Sequence, residues 1–207
     1  MPLVIERAAL VRPESRCRTV AEKVITMTAR TRPSPLLRLD EAIDHVQGAA
    51  SAPVTLIEYG DYECPSCFQA TAALKVIVPH FGDDLRFVFR HFPLREVHPH
   101  AELAAEAAEA AGAQGKFWPM HDLLFSMQQH LKEKHLQGSA AQLGLDMARY
   151  ENEMKDHVYL QRVQEQILSG QHLAIRSTPA FSVNGIFTDV SFGLQHLHQA
   201  IERALAA

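Results

Sequence analysis

Cys64 and Cys67 flank Pro65 and Ser66 in the stretch EYGDYECPSC, residues 58–67, of a 207-residue chain with three cysteines in all. Two thiols at this spacing serve as half of a zinc site, as a small structural disulfide, or as a redox centre that opens and closes. The flanking sequence chooses among these. Before the pair, VTLIEYG is a β-branched and aromatic run bounded by Pro53 and Gly60, the pattern of a buried strand. After Cys64, PSCFQATAALKVIV carries good helix formers with Phe68, Leu74 and Ile77 at apolar positions, and Pro79 with Gly82 marks its end. Cys64 therefore stands at a helix N-terminus, where unpaired N–H groups and a partial positive charge stabilise a thiolate. Such a site draws a thiol pKa from about 8.5 toward roughly 3.5–7.5 and makes Cys64 the nucleophile. Cys67 lies one turn further on and can reach back to close a disulfide. Pro65 suits the first helical position, and Ser66 adds a hydroxyl but no cation.

Composition narrows the setting. With 47% hydrophobic and 21% charged residues, the chain is long enough to bury a large core, and its net charge of -4 supplies no broad basic surface. Neither nucleic acid nor membrane is an implied partner. No apolar run approaches the roughly 18 residues of a membrane span. The N-terminal stretch MPLVIERAALVRPESRCRTVAEK breaks its apolar pieces at Glu6, Arg7 and Arg12, so the expected location is the cytoplasm. With Cys17 far from the pair, no secreted disulfide framework is implied, which favours a catalytic or metal-binding role for the pair. Residues 1–45 carry Pro2, Pro13, Pro33 and Pro35 without a sustained period and read as a loosely attached arm. Cys17 is then an incidental thiol open to intermolecular pairing, GAASAP is a linker, and Met27 is an alternative start.

The elements that must position the cysteines follow in order. LRFVFRHF is a second buried strand, and a helix between two adjacent strands implies a right-handed parallel crossover. Residues 97–169 change character. HAELAAEAAEAAGAQG is helical with Gly112 and Gly115 as stops, and three further helical segments follow in an inserted block of about seventy residues. His91, His98, His100 and His121 read as helix-end or surface residues, and Phe117 and Trp118 as core of the insertion. TPAFSVNGIFTDVSF returns to strands, with Asn184-Gly185 as a hairpin turn, and a helix over 194–206 closes the chain. The expectation is an α/β fold whose core, residues 46–96 and 170–207, is interrupted by the helical insertion.

The combination of CPSC after a strand, an Ala-rich block ending in GKFW, and STPAFSVNG resembles the DsbA-like branch of the thioredoxin superfamily, in particular the DsbA-like domains found alone or fused behind sodium/proton antiporters. The resemblance covers residues 46–205. It implies a thioredoxin-like fold with an inserted helical domain, a cis bond at Thr178-Pro179 opposite the cysteines, and an acidic residue beneath them at Glu58. It further implies that Thr178 offers backbone groups to an incoming peptide and that Glu58, through water, takes the proton of Cys67. Relatives with histidine in the dipeptide are strong oxidants, and Ser66 departs from that pattern. The reading is a thiol–disulfide oxidoreductase that uses no organic cofactor or metal. It acts on protein or peptide disulfides and thiols with an unidentified redox partner, as a reductase or isomerase in the reducing cytoplasm. The alternatives are a glutathione-dependent isomerase, and a non-catalytic peptide-binding or zinc-binding module of the same fold.

Overall fold

A computed structural model of the chain describes residues 34–40, 43–191 and 193–207, so Cys17 and Met27 lie outside the described residues. Its centre is a five-stranded sheet in the order β1-β3-β2-β4-β5, where β1 is His45–Gln47, β2 Val54–Gly60, β3 Leu85–His91, β4 Ala180–Val183 and β5 Ile186–Thr188. Strands β2 and β3 run parallel, joined by helix α1 (Pro65–Phe81), and the other pairings are antiparallel. Period-two alternation explains β2: Val54 and Leu56 enter one core cluster, Ile57 and Tyr59 the other. Both faces are covered, so all its residues but Thr55 are buried. Asn184 and Gly185 take φ of 47° and 80°, the left-handed pair that a tight hairpin between β4 and β5 requires.

Helices α2 (Ala101–Gly112), α3 (Phe117–Ser126), α4 (Glu133–Gln142), α5 (Met147–Lys155) and α6 (Leu160–His172) intervene between β3 and β4, and α7 (Gln195–Leu205) closes the chain. All described residues fall in one compact unit. One reason is that α6 seats directly on the sheet: a Cβ at Gly170 would lie 2.5 Å from the Phe92 ring and 3.3 Å from Tyr59, so only glycine permits the approach. Helix α1 runs past Pro79 to Phe81 and is capped by Gly82.

The structure draws Leu37, Asp44 and His45 of the expected arm into the fold. Leu37 is buried in a short 3-10 turn, Asp44 is buried against Arg90, and His45 opens β1. These residues are held by distant polar partners, which leave no local periodicity to read. The guanidinium of Arg90 is 2.7–2.8 Å from both Asp44 oxygens and also donates to Tyr59 Oη and the Arg38 carbonyl. His91 is a second correction, for it is buried beneath α2 and not at the surface. Its Nε2 and that of His45 each lie 3.0 Å from Glu109, and Arg162 pairs with the same carboxylate at 3.1 Å. Burial alone would raise the Glu109 pKa, but the bonds from His45 and His91 hold it down to about 2. Asp44→Ala removes the charge that neutralises a buried guanidinium, and we expect it to cost about 3 kcal/mol in urea unfolding, against less than about 1 for the exposed Lys75–Asp122 pair.

Candidate active site

The chain leaves β2 at Gly60 and reaches Cys64 in a turn whose backbone is held from several sides. Asp61, buried, accepts bonds from the N–H groups of Glu63 (2.7 Å) and Leu94 (2.8 Å), and its Oδ2 lies 2.8 Å from His98 Nδ1. Glu63 accepts from the His100 N–H at 2.7 Å and lies 3.0 Å from its Nδ1. An acidic pair at 61 and 63 thus meets a histidine pair at 98 and 100, joining the loop after β3 to the cysteine turn. These contacts give His98 and His100 a positional role beyond the expected helix-end or surface placement, which His100 keeps as the N-cap of α2. The signal was present as D-x-E before the motif and H-P-H after the second strand, but nothing local shows that the two meet.

Cys64 is the N-cap of α1, with Pro65 at the first helical position and extended backbone dihedrals of φ −78° and ψ 120°. Its side chain is 6% exposed, and Cys67, one turn on, is fully buried. Both are free thiols. The Cys64 thiol donates to the Thr178 carbonyl at 3.4 Å, across 114 residues of sequence, and the Thr178–Pro179 peptide bond is cis. Strand β4 supplies this contact, because it pairs with β2 and starts where β2 ends. A hydrogen bond from Cys67 is the largest influence on Cys64. With the Thr178 side-chain hydroxyl and the N–H groups of Cys67 and Ser66, it outweighs burial and lowers the pKa to about 5. Burial drives Cys67 the other way, well above the ordinary thiol range, with its bond to Cys64 and the charges of Glu58 and Cys64 adding to the rise.

Glu58 faces the same core as Val54 and Leu56, between Phe89 and Phe181 on the neighbouring strands. It is fully buried, and neither carboxyl oxygen has a hydrogen-bond partner among the described residues. Burial, and then the negative charge of Cys64, raise its pKa to about 8. The structure therefore brings together Cys64, Cys67, Glu58 and Thr178-Pro179, with Pro65 and Ser66 exposed at the helix start. His121, expected at a helix end or surface, is buried instead, with Nδ1 3.2 Å from Tyr62 Oη. Gln128, which gave no sequence signal, bonds the cysteine turn from the helical block. Among the described residues no group of three or more His, Cys, Asp and Glu side chains is placed to hold a metal ion.

A thiol pair at the start of the first helix of a β-α-β unit, facing an X-Pro turn at the start of an antiparallel strand, defines the thioredoxin-like class. The comparisons agree. A thioredoxin family profile matches residues 41–203, and the chain belongs to that family. A thioredoxin-like oxidoreductase from Silicibacter pomeroyi superposes with a TM-score of 0.70 at 28% identity, over 79% of this chain and 93% of that one. Oxidised BdbD from Bacillus subtilis gives 0.71 at 23% identity, covering 85% of this chain and 97% of its own, and α-DsbA1 from Wolbachia pipientis 0.67 at 19%, covering 83% and 94%; these two share the fold. The chain is also 40% identical over 207 residues to a protein named Na(+)/H(+) antiporter NhaA 1 from Salinispora arenicola, covering 99% of this chain and 30% of that relative. The one from Herminiimonas arsenicoxydans is 43% identical over 147 residues, 71% of this chain and 23% of its own length. The chain thus spans less than a third of these longer relatives. The resemblance to DsbA-like domains drawn from the motifs holds.

The two displaced acids act on stability with opposite sign. Folded Glu58 keeps its proton up to about pH 8 while the unfolded chain releases it in the ordinary carboxylate range, so its contribution is full at low pH and lost as pH rises toward 8. Folded Cys64 has already released its proton above about pH 5, so its contribution is present at high pH and lost as pH falls through 5. In the reduced protein the two slopes largely cancel between pH 5 and 8. Cys64→Ser should unmask a loss of stability with rising pH and Glu58→Gln a gain, each roughly 3 kcal/mol across that window in urea unfolding.

Proposed function

We propose that the protein is a thiol–disulfide oxidoreductase acting on protein or peptide disulfides. The observation that carries this reading is the placement of two free thiols on one helical turn, Cys64 at the N-cap of α1 and 3.4 Å from the Thr178 carbonyl, Cys67 fully buried; their pKa values are displaced in opposite directions to match. At neutral pH Cys64 is a thiolate and attacks a substrate disulfide, forming a mixed disulfide and releasing one substrate sulfur as a thiolate. Cys67 then loses its proton and attacks Cys64 Sγ. The Cys64–Cys67 disulfide forms, the second substrate thiolate leaves, and two electrons have passed from the protein dithiol to the substrate. In reverse, the oxidised pair accepts electrons from substrate thiols.

Glu58 fits the role of base for Cys67, through water, for a reason of timing. The Cys64 charge is one of the two causes that hold the Glu58 pKa up, and the mixed disulfide abolishes that charge. Glu58 therefore ionises more readily at the step that needs a base. Substrate recognition follows from the surroundings: Phe68 and Val97 are 48% and 65% exposed at the same end of the fold, and Leu94, Ile175 and Arg176 help line a groove of about 610 Å³ there. The Thr178 backbone offers an incoming strand its hydrogen bonds. No organic cofactor takes part, and an electron donor or acceptor outside this chain resets the pair. In the cytoplasm, the location we propose, glutathione would hold the pair reduced and favour reductase or isomerase turnover.

Cys67→Ser leaves the nucleophile but removes the thiol that resolves the mixed disulfide. We expect this variant to accumulate covalent complexes with substrate proteins that vanish with reductant and in the Cys64→Ser, Cys67→Ser double variant. Wild type that retains stoichiometric zinc, with nothing trapped by Cys67→Ser, would assign the cysteines to metal binding instead.

A further inference from the structure

Gln128 sits in the turn after α3. Its Nε2 donates to two main-chain oxygens of that turn, Tyr62 O at 2.9 Å and Cys64 O at 2.8 Å. The turn that carries it is itself fixed. The N–H groups of Met127 and Gln128 close onto Leu123 and Phe125, and the Phe125 ring packs 4.9 Å from that of Tyr62. Cys64 O has a second donor, the Phe68 N–H at 3.2 Å, and the Cys64 N–H is bonded to Asp61 O at 3.2 Å. The 62–63 and 64–65 peptide planes are thus pinned by one amide from the helical block.

We propose that Gln128 is a positioning residue for the redox centre, clamping the Tyr62 and Cys64 carbonyls so that the Cys64 sulfur stays aimed at the N–H groups of the helix start. The inference rests on the oxidoreductase reading. Carbonyl oxygens are the negative ends of peptide dipoles, and either one turned toward a thiolate would destabilise it. A donor bonded to both fixes their direction and offsets their charge, and it does so without touching the sulfur. Gln128 also belongs to the helical block, while Thr178 belongs to the sheet. The cysteine turn is therefore bonded from both parts of the fold, and any displacement of the α3–α4 turn reaches it through this amide.

The test is the pH profile of Cys64 alkylation by iodoacetamide in the reduced full chain, together with steady-state kinetics on a disulfide peptide. Gln128→Ala should raise the Cys64 pKa by roughly one unit, about a tenfold loss of thiolate in the range where it titrates, and lower kcat with KM unchanged. Gln128→Lys keeps a donor for both carbonyls and should bring the pKa back to the wild-type value or below it. Gln129→Ala, a change at an exposed neighbour on the same turn, should leave it in place. A lowered melting temperature with an unchanged pKa in Gln128→Ala would make Gln128 a simple tether and overturn the inference, as would a Lys variant that titrates like the Ala variant. A wild-type Cys64 that titrates near 8.5 would sink the oxidoreductase reading and this inference with it. An activated wild type with an unaffected Gln128→Ala sinks this inference alone.

Discussion

At the active end of the sheet the two thiols and Glu58 share a space that supports one negative charge among them. Cys64, Cys67 and Glu58 are all buried, and the backbone and thiol donors are arranged for only one of them, Cys64. Each of the others is kept neutral by burial and by the charge already present. This constraint gives the chemistry its order. The group that carries the charge is the nucleophile, and once its charge goes into a bond, the next acid can ionise.

Two buried glutamates show how the fold sets such a limit. Glu109 and Glu58 lie on the covered side of the molecule at comparable depth, yet Glu109 is held down to about 2 and Glu58 is pushed up to about 8. The difference is in their neighbours. Glu109 meets His45, His91 and the Arg162 guanidinium, a polar cluster tying β1, β3 and α6 to α2. Glu58 meets aromatic rings and sulfur. Charge is thus neutralised where the architecture must hold and left uncompensated where a proton must move. The acid–histidine contacts of Asp61 and Glu63 pin the cysteine turn while leaving the sulfur free.

The strands and helices that present the motif were legible because periodicity and capping are local. VTLIEYG and LRFVFRHF declare buried strands, Asn184-Gly185 declares a hairpin, and CPSC at a strand end declares a helix start. What stayed hidden was held by partners far away in sequence. Asp44 and His45 looked like part of an arm because Arg90 and Glu109 lie 46 and 64 residues on. His91 and His121 looked like surface residues because histidine carries no mark of its burial, and Gln128 had no mark at all. Glu58 and Thr178-Pro179 entered through the resemblance to a family, and the geometry then placed them beside the cysteines.

The contact between Cys64 and Thr178 spans 114 residues, so more than half of the chain lies between the two sides of the site. A ribosome makes the chain from one end, and the thiols leave the exit tunnel long before β4 exists to lie beside β2. At some 5–20 residues per second that interval lasts roughly six to twenty seconds. During it Cys67 has no Phe181 strand above its neighbours and Cys64 has no carbonyl to face. The pair is born as two ordinary cysteines, exposed to whatever oxidants surround a nascent chain, and acquires its selectivity only when the segment from Thr178 onward folds back over it.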